Sequence, residues 1–381
     1  MFGRAYRVAS VRGVGIEMSP SWLLVVALLA WTLADDIFPA RYESWSPTMA
    51  WAVGIGAALT LPLSVALHEL SHASAAMRRG ITVPKVTLMV FGGATQLSRQ
   101  PKSPREEFAL ASAGVATSVT IAFIASLVAF VARGRIEIVE GLFIFLFMEN
   151  AAIAVFNCIP GFPLDGGRFL RSVAWKRTAS FHRATRIAAG AGEATGRLFM
   201  LAGAVLLLTG FFAPGLWVGV IGWFLIGAAK AENQTLQLES ILSRLKARDV
   251  MRTDWPTVVP GASLQEIVDD HMLGAGERMV IVANYGAVLG LLTVTDIRKT
   301  NRLEWAKTPA QQVMRPREKL ITVQADAPAV ETMMILARLQ LNQVPVLEGG
   351  RMVGLISRQE LLDRVKLVET LAPDLPQPED D

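Results

Sequence analysis

Residues 50–77 read AWAVGIGAALTLPLSVALHELSHASAAM. The run is largely apolar and long enough to cross a bilayer as a helix, which takes about 20 apolar residues. Near its end stands His68-Glu69-Leu70-Ser71-His72, an H-E-x-x-H pattern. On a helix, residues four apart share one face, so both imidazoles can reach the same ion. Glu69 sits one residue round the helix, beside the position a metal leaves open. There it can take a proton from the attacking water and pass it to a leaving amine. Two histidines and an acid are costly to bury in an apolar span unless something pairs with them. A metal is such a partner, and this pentapeptide holds two of the four histidines in the chain.

The rest of the composition agrees with a membrane setting. Of 381 residues, 52% are hydrophobic and 18% charged, against about 25% charged in soluble domains. The shortfall lies before about residue 230, beyond which ordinary soluble composition returns. A single cysteine, Cys158, excludes an intramolecular disulfide framework. The net charge of +4 is too small to argue for a nucleic-acid partner. Six segments approach spanning length: 17–34, 50–77, 107–132, 141–158, 193–212 and 214–230. The last two are separated by Phe212-Ala213-Pro214-Gly215, which reads as the turn of a helical hairpin. The N-terminus, MFGRAYRVASVRG, is basic, and the first apolar run has no small-residue cleavage site after it, so it reads as a retained span.

Basic residues set the expected orientation. Arg4, Arg7, Arg12, Arg78, Arg79, Lys85, Arg99, Lys102, Arg105, Arg168, Arg171, Lys176, Arg177, Arg183 and Arg186 fall on one face, fifteen in all. The other face holds only Arg41, Arg133 and Arg135. The expectation is a multi-pass protein of the cell membrane with both termini in the cytoplasm.

A catalytic zinc site usually takes three protein ligands and leaves a fourth position to water. The twenty residues after His72 contain no histidine or acid, so the third ligand is remote. Asp165 is the best candidate, within Asn157-Cys158-Ile159-Pro160-Gly161-Phe162-Pro163-Leu164-Asp165-Gly166-Gly167-Arg168. The prolines and glycines break the fourth span at the depth where the second presents its histidines. Irregular backbone is tolerated at that depth only where it lines a cavity or is buried in protein. Read alone, Asp165 is equally a turn or capping aspartate; beside an intramembrane H-E-x-x-H, the metal reading is favoured.

The two motifs, their order and the spans between them resemble the site-2 protease family of intramembrane metalloproteases, over roughly residues 10–230. The resemblance implies zinc, one per chain, on His68, His72 and Asp165, with Glu69 as general base. It makes Asn157 a substrate-positioning or oxyanion-stabilising residue. Asn150, seven residues earlier on the same helical face, is a second substrate-binding candidate, although interhelical hydrogen bonding explains either asparagine. Residues 81–97, ITVPKVTLMVFGGATQL, read as strand and turn. In the family this segment resembles a membrane-associated β-hairpin beside the active site, with Gly92 and Gly93 at the substrate, where an exposed strand edge can hold an extended peptide. A plain cytoplasmic hairpin fits the residues equally well. Glu149, an acid deep in the fourth span, has no assigned role.

Residues 247–368 contain an internal repeat. Asp249-Val250-Met251-Arg252 recurs as Gln312-Val313-Met314-Arg315, and Gly290-Leu291-Leu292-Thr293-Val294-Thr295-Asp296 as Gly354-Leu355-Ile356-Ser357-Arg358-Gln359-Glu360. Each unit reads strand, helix, strand, strand, helix, with a helix at 327–341 and a strand at Val344–Leu347 in the second. This resembles a tandem pair of cystathionine β-synthase (CBS) domains. The resemblance implies an adenine nucleotide in the cleft, contacts to it from Thr293 and Asp296, and a possible homodimer; Glu360 replaces the usual aspartate in the second half-site. A pair that only dimerises or props the membrane part fits as well. The expected organisation is therefore a six-span α-helical membrane domain with a small β-hairpin over 1–232, a linker over 233–246, an α+β cytoplasmic CBS pair with repeats at about 247–302 and 310–368, and an acidic, disordered tail over 369–381. The expected partners are a membrane-anchored protein substrate, the lipid bilayer and a nucleotide. The function expected is a zinc-dependent intramembrane endopeptidase regulated by nucleotide. The rival is a CBS-regulated transporter or channel using the intramembrane His and Glu residues as an ion path.

Overall fold

The computed structural model describes residues 5–89, 92–339 and 341–371, in two units, 1–234 and 235–378. The expected tail lies outside the described residues from 372 onward, as do Val90 and Phe91 of the expected hairpin segment.

The first unit opens with two strands, β1 (Tyr6–Val11) and β2 (Val14–Met18). Helix α1 (Ser21–Thr32) runs through a π-helical turn, Leu33–Ile37, into α2 (Phe38–Arg41). After α3 (Pro47–Met77) come β3 (Lys85–Met89) and β4 (Gly92–Thr95). Helices α4 (Pro104–Ala132), α5 (Glu137–Asn157), α6 (Asp165–Thr178), α7 (Phe181–Leu208) and α8 (Phe212–Arg244) follow. Six helical stretches are long and apolar enough to span a membrane: 21–41, 47–77, 104–132, 137–157, 181–208 and 212–244.

The β-hairpin is part of something larger. The four strands form one sheet in the order β1-β2-β3-β4, with β2 parallel to β3 and the other pairs antiparallel. Its inner residues Val14, Ile16, Val86 and Leu88 pack on Trp22, on Ala73 and Ala76 of α3, and on Leu110 of α4. The sheet is thereby fixed against the end of α3 that carries the histidines.

The helices differ from expectation in several places: the first span runs on to Arg41, past 34, and α8 runs to Arg244, past 230 and through most of the expected linker. Helix α7 begins at Phe181, not near 193. Its first turns bury Ala184, Thr185, Ala188 and Ala189 while Arg183 and Arg186 face outward, an amphipathic pattern that a purely apolar reading rejects. The stretch after the fourth span contains a further helix, α6. The turn between the last two helices falls at 209–211, and Pro214 stands in the first turn of α8, where its missing N–H costs nothing. Helices α7 and α8 approach closely: a Cβ on Gly196 or Gly203 would lie 2.6 Å from atoms of Ile226 or Gly219, the small-residue packing expected of membrane helices.

The second unit contains α9 (Ala247–Val250), β5 (Thr257–Val258), α10 (Leu264–Glu266) continuing as a π-helical stretch to Gly274, β6 (Met279–Asn284), β7 (Ala287–Thr293) and α11 (Val294–Ile297). Then come α12 (Ala310–Val313), β8 (Arg315–Pro316), β9 (Val323–Gln324), α13 (Ala329–Arg338), β10 (Gln343–Glu348), β11 (Arg351–Ser357) and α14 (Arg358–Leu371). The repeats interlock. Ala247 and Val250 are buried in the core of the second repeat, with Val323, Val344 and Ile356. Ala310, from the segment leading into the second repeat, is buried in the core of the first. Arg252 bridges to Leu355 of β11, and Arg315 pairs with Leu291 of β7. Each repeat thus borrows its opening segment from the other, which boundaries read along the chain do not capture.

Candidate metal centre

His68 and His72 project from one face of α3 at 4% and 3% exposure, and Asp165 opens α6 at 7%. The Oδ2 atom of Asp165 lies 3.1 Å from Nε2 of each histidine. Among the described residues these three form a group able to hold a metal, with one donor atom from each lying within 4.8 Å of the others.

The far side of each imidazole is fixed by α4. His72 Nδ1 donates to the Leu110 carbonyl at 2.8 Å, and His68 Nδ1 is 2.9 Å from Ser118 Oγ. A carbonyl can only accept, so neutral His72 carries its proton on Nδ1 and presents a lone pair at Nε2. That lone pair faces a carboxylate oxygen, as does His68 Nε2. With His68 in the same tautomer as His72, three electron-pair donors converge in a buried site and repel one another unless a cation lies among them. One proton serves at most two of them, whereas a divalent ion takes all three. The donor set therefore fits zinc: two imidazole nitrogens, each ring with a partner outside the site, and one carboxylate oxygen.

Helix α4 also supplies the space. Leu110, Gly114 and Ser118 recur every four residues on the face toward α3. At Gly114 a Cβ would fall 2.5 Å from His68 Nε2 and closer still to His72 Nε2. Glycine here leaves room for the histidine ends.

Asp165 is placed by packing as well as by sequence. A Cβ on Gly167 would fall among the backbone atoms of Gly161 and Phe162, and one on Gly161 would fall against Gly192 of α7. The irregular segment is thus wedged between α6 and α7, with Phe162 buried on Ala188 and Ala189. Glu107 of α4, fully buried, accepts from Arg168 Nε at 3.2 Å and Arg171 Nε at 3.1 Å. The Arg171 guanidinium lies 4.8 Å from the centres of the Phe162 and Phe181 rings. Burial by itself would lower the Arg168 guanidinium, but Glu107, Asp165 and Glu69 outweigh it and raise it above the ordinary arginine value. The site therefore has a permanent positive charge beside it.

The remaining expected residues are distributed unevenly. Glu69 is buried beside the histidines, its Oε2 accepting from Thr95 Oγ1 of β4 at 2.7 Å. Gly93 lies against the same side chain, where a Cβ would be 2.5 Å from Glu69 Cδ; Gly92 opens the strand. Asn157 ends α5, its amide donating to the Ile153 carbonyl at 3.0 Å. Asn150 is fully buried, donating to Ser64 Oγ at 2.9 Å and to the Leu146 carbonyl. That places it in the α3–α5 interface. Glu149 joins the same interface, accepting from Ser64 Oγ at 2.8 Å. The residues that sequence reasoning missed are Leu110, Gly114 and Ser118 of α4 and Thr95 of β4; only their spacing of four hinted at a shared face.

In the second unit, Thr293 Oγ1 donates to Asp296 Oδ2 at 2.6 Å, and Asp296 also accepts from Lys299 and Arg315. Burial by itself would raise this carboxyl; the Thr293, Arg315 and Lys299 hydrogen bonds outweigh it and hold it below the usual range. A cleft of about 300 Å³ beside them is lined by Arg278, Thr293, Arg298, Arg315, Lys319 and Asn342, among others. Glu360 accepts from the Ser357 N–H and stands 4.0 Å from Arg252, which pairs with Glu277.

A family model described as peptidase family M50 matches residues 56–140 and 135–203, and a CBS domain model matches 247–301 and 310–367. A protein of Synechocystis, whose name assigns it to the zinc metalloproteases, is 29% identical over 373 residues, covering 96% of each chain. Rip3 of Mycobacterium tuberculosis, likewise named, is 28% identical over 375 residues, 97% of this chain and 95% of that one. A zinc metalloprotease of Methanocaldococcus jannaschii is 25% identical over 367 residues, 95% of this chain and 96% of that one. The part of the chain that matches peptidase family M50 is thus the part that holds most of the apolar helices and the buried His, His and Asp cluster, the CBS domain model matches twice behind it, and along nearly its whole length the chain is similar to proteins named zinc metalloproteases.

Proposed function

We propose that this protein hydrolyses a peptide bond in or near a transmembrane segment of a membrane-anchored protein, with His68, His72 and Asp165 holding one zinc ion and Glu69 as general base. The convergence of two Nε2 atoms on one Asp165 oxygen at 3.1 Å, beside a buried Glu69, carries this reading. When bound there, zinc supplies a Lewis acid that acidifies water and polarises the scissile carbonyl.

The chain's own groups do the rest. Glu69 has one oxygen engaged by Thr95 and accepts the proton of the attacking water on the other, then delivers it to the departing nitrogen. Asn157 has two amide hydrogens and spends one on Ile153, so the second can serve the developing oxyanion. Strand β4 ends the sheet, and its unpaired edge can hold the substrate extended, through Gly92 and Gly93, so that the helical carbonyl is exposed to attack. Fifteen basic residues against three support cytoplasmic termini in the cell membrane. Four basic side chains in the 300 Å³ cleft support an anionic ligand there, an adenine nucleotide such as ATP, acting on substrate access.

The test is zinc content and cleavage of a panel of single-span reporters, their apolar segments interrupted by helix-weakening Gly or Asn, by purified wild type and Glu69→Gln. Zinc near one per chain in both, with cleavage by wild type alone, is expected. Cleavage by both, or no bound metal in folded protein, sinks the reading. ATP titration with the same reporters tests regulation: rates indifferent to ATP, and to loss of residues 247–381, remove it.

A further inference from the structure

We propose that Thr95 is a positioning residue for hydrolysis: its hydroxyl anchors one oxygen of the Glu69 carboxylate and leaves Oε1 as the oxygen that accepts the proton. The inference rests on the reading of Glu69 as general base. Thr95 Oγ1 lies 2.7 Å from Glu69 Oε2 and 3.2 Å from the Glu69 carbonyl oxygen. One hydroxyl has one proton, and the carboxylate is both nearer and the stronger acceptor, so the bond is the charge-assisted kind.

Both ends of this bond are held. Thr95 lies opposite Val86 in the β3–β4 ladder, and Val86 is fully buried in the sheet core. Its backbone position is therefore set by the sheet, and its β-branch restricts the rotor that aims the hydroxyl. Glu69 is fixed at its backbone by α3, yet its side chain turns about three bonds, and an unanchored glutamate has rotamer freedom to lose. Gly93, two residues before Thr95 and so on the same face of β4, adds a second restraint. A Cβ there would lie 2.5 Å from Glu69 Cδ and 2.6 Å from Oε1, so bare strand backbone borders the carboxyl group. The glycine keeps the space at Oε1 open while the threonine occupies Oε2. A peptide that adds to the free edge of β4 touches the same strand that aims the base, so strand geometry and base geometry act together.

The test uses full-length detergent-purified protein. Thr95→Val keeps shape and strand propensity but removes the hydroxyl; Thr95→Ser keeps the hydroxyl; Glu69→Gln is run beside them on the single-span reporters. Thr95→Val is expected to hold zinc like wild type, keep KM within about twofold and lose about 10- to 100-fold in kcat, the scale of a misplacement near 1 Å. Thr95→Ser is expected within about threefold of wild type, because the same donor is restored. A substrate-independent reading comes from the antisymmetric carboxylate band of Glu69 in difference infrared spectra, identified by its loss in Glu69→Gln. It is expected to shift in Thr95→Val and to stay in Thr95→Ser. Wild-type kcat with an unshifted band in Thr95→Val overturns the proposal, and so does loss of zinc, which would make Thr95 a prop of the fold. If Glu69→Gln cleaves normally, the general-base reading fails instead, and should no reporter be cut the band alone decides.

Discussion

Replacing Gly114 by alanine puts one methyl group where the structure has no room for it. Its Cβ would lie 2.5 Å from His68 Nε2 and nearer to His72 Nε2, against an ordinary contact of about 3.5 Å or more. About an ångström must be found, either by moving α4 away from α3 or by rotating both rings. Moving α4 strains the bonds to Leu110 and Ser118, which flank Gly114 by one turn on either side. Rotating the rings turns the Nε2 atoms away from Asp165. Overpacking of this kind costs about 1–3 kcal/mol, and either adjustment is released when the metal leaves. Zinc affinity should therefore fall roughly 5- to 150-fold, at about 1.4 kcal/mol per tenfold. The assay is competition for zinc against a chelator of known affinity, with Gly56→Ala on α3 as control, because nothing lies within 4 Å of a Cβ there. Affinity within twofold of wild type for Gly114→Ala would refute the claim that α4 shapes the site.

Three other outcomes follow from the same geometry. Ser118→Ala removes the group facing His68 Nδ1 and should weaken zinc about 10- to 100-fold in the same competition; unchanged affinity would mean that packing alone orients the ring. Glu107→Ala leaves Arg168 and Arg171 without their shared carboxylate in a buried setting and should cost about 3–5 kcal/mol, read as a lower unfolding midpoint in detergent; an unmoved midpoint contradicts the clamp. Asp296 has a folded pKa held below its unfolded value, near 3.9. Its contribution is therefore present above about pH 4 and lost as pH falls through the folded pKa, so the stability gap between wild type and Asp296→Asn should narrow from about pH 6 to pH 3. A constant gap would show the carboxylate unengaged.

How much of this was legible follows from the range of each interaction. His68, Glu69 and His72 were readable because a helix fixes the relation between residues one and four apart, and Asp165 because three glycines and two prolines announced a break around it. Leu110, Gly114 and Ser118 were not, since a carbonyl, a missing side chain and a hydroxyl acquire meaning only once α4 is known to lie on α3. Strand β2 escaped for a similar reason: its parallel partner β3 is some seventy residues away, and YRVASVRGVGIEM alternates too weakly to declare itself. The start of α7 was hidden by Arg183 and Arg186, which face outward while alanines and a threonine do the packing. In the second unit the pattern of the repeat was visible, but not that Ala247 and Ala310 exchange places between the two cores.

Two polar clusters lie buried on α3, one turn apart, and their hydrogen-bond balance separates their roles. Around Ser64 donors meet acceptors in sequence: the Asn150 amide donates to the Ser64 oxygen, and the Ser64 hydroxyl donates to Glu149. Such a chain joins α3 to α5 and needs no ion to hold it together. Around His68 and His72 the outer ring nitrogens face Leu110 on one side and Ser118 on the other, and the inner ones, with the lone pair of neutral His72 among them, face one carboxylate oxygen. That arrangement is unstable by itself and becomes stable around a cation. An ion path would need relays that hand a charge from one group to the next; around Ser64 the chain stops at Glu149 Oε2 and Asn150 Oδ1, both buried without a hydrogen-bond partner, whereas the ring nitrogens of His68 and His72 converge on one Asp165 oxygen. The candidate residues were placed by a pattern in the sequence; what fits them to a metal is the direction in which each neighbour makes them face.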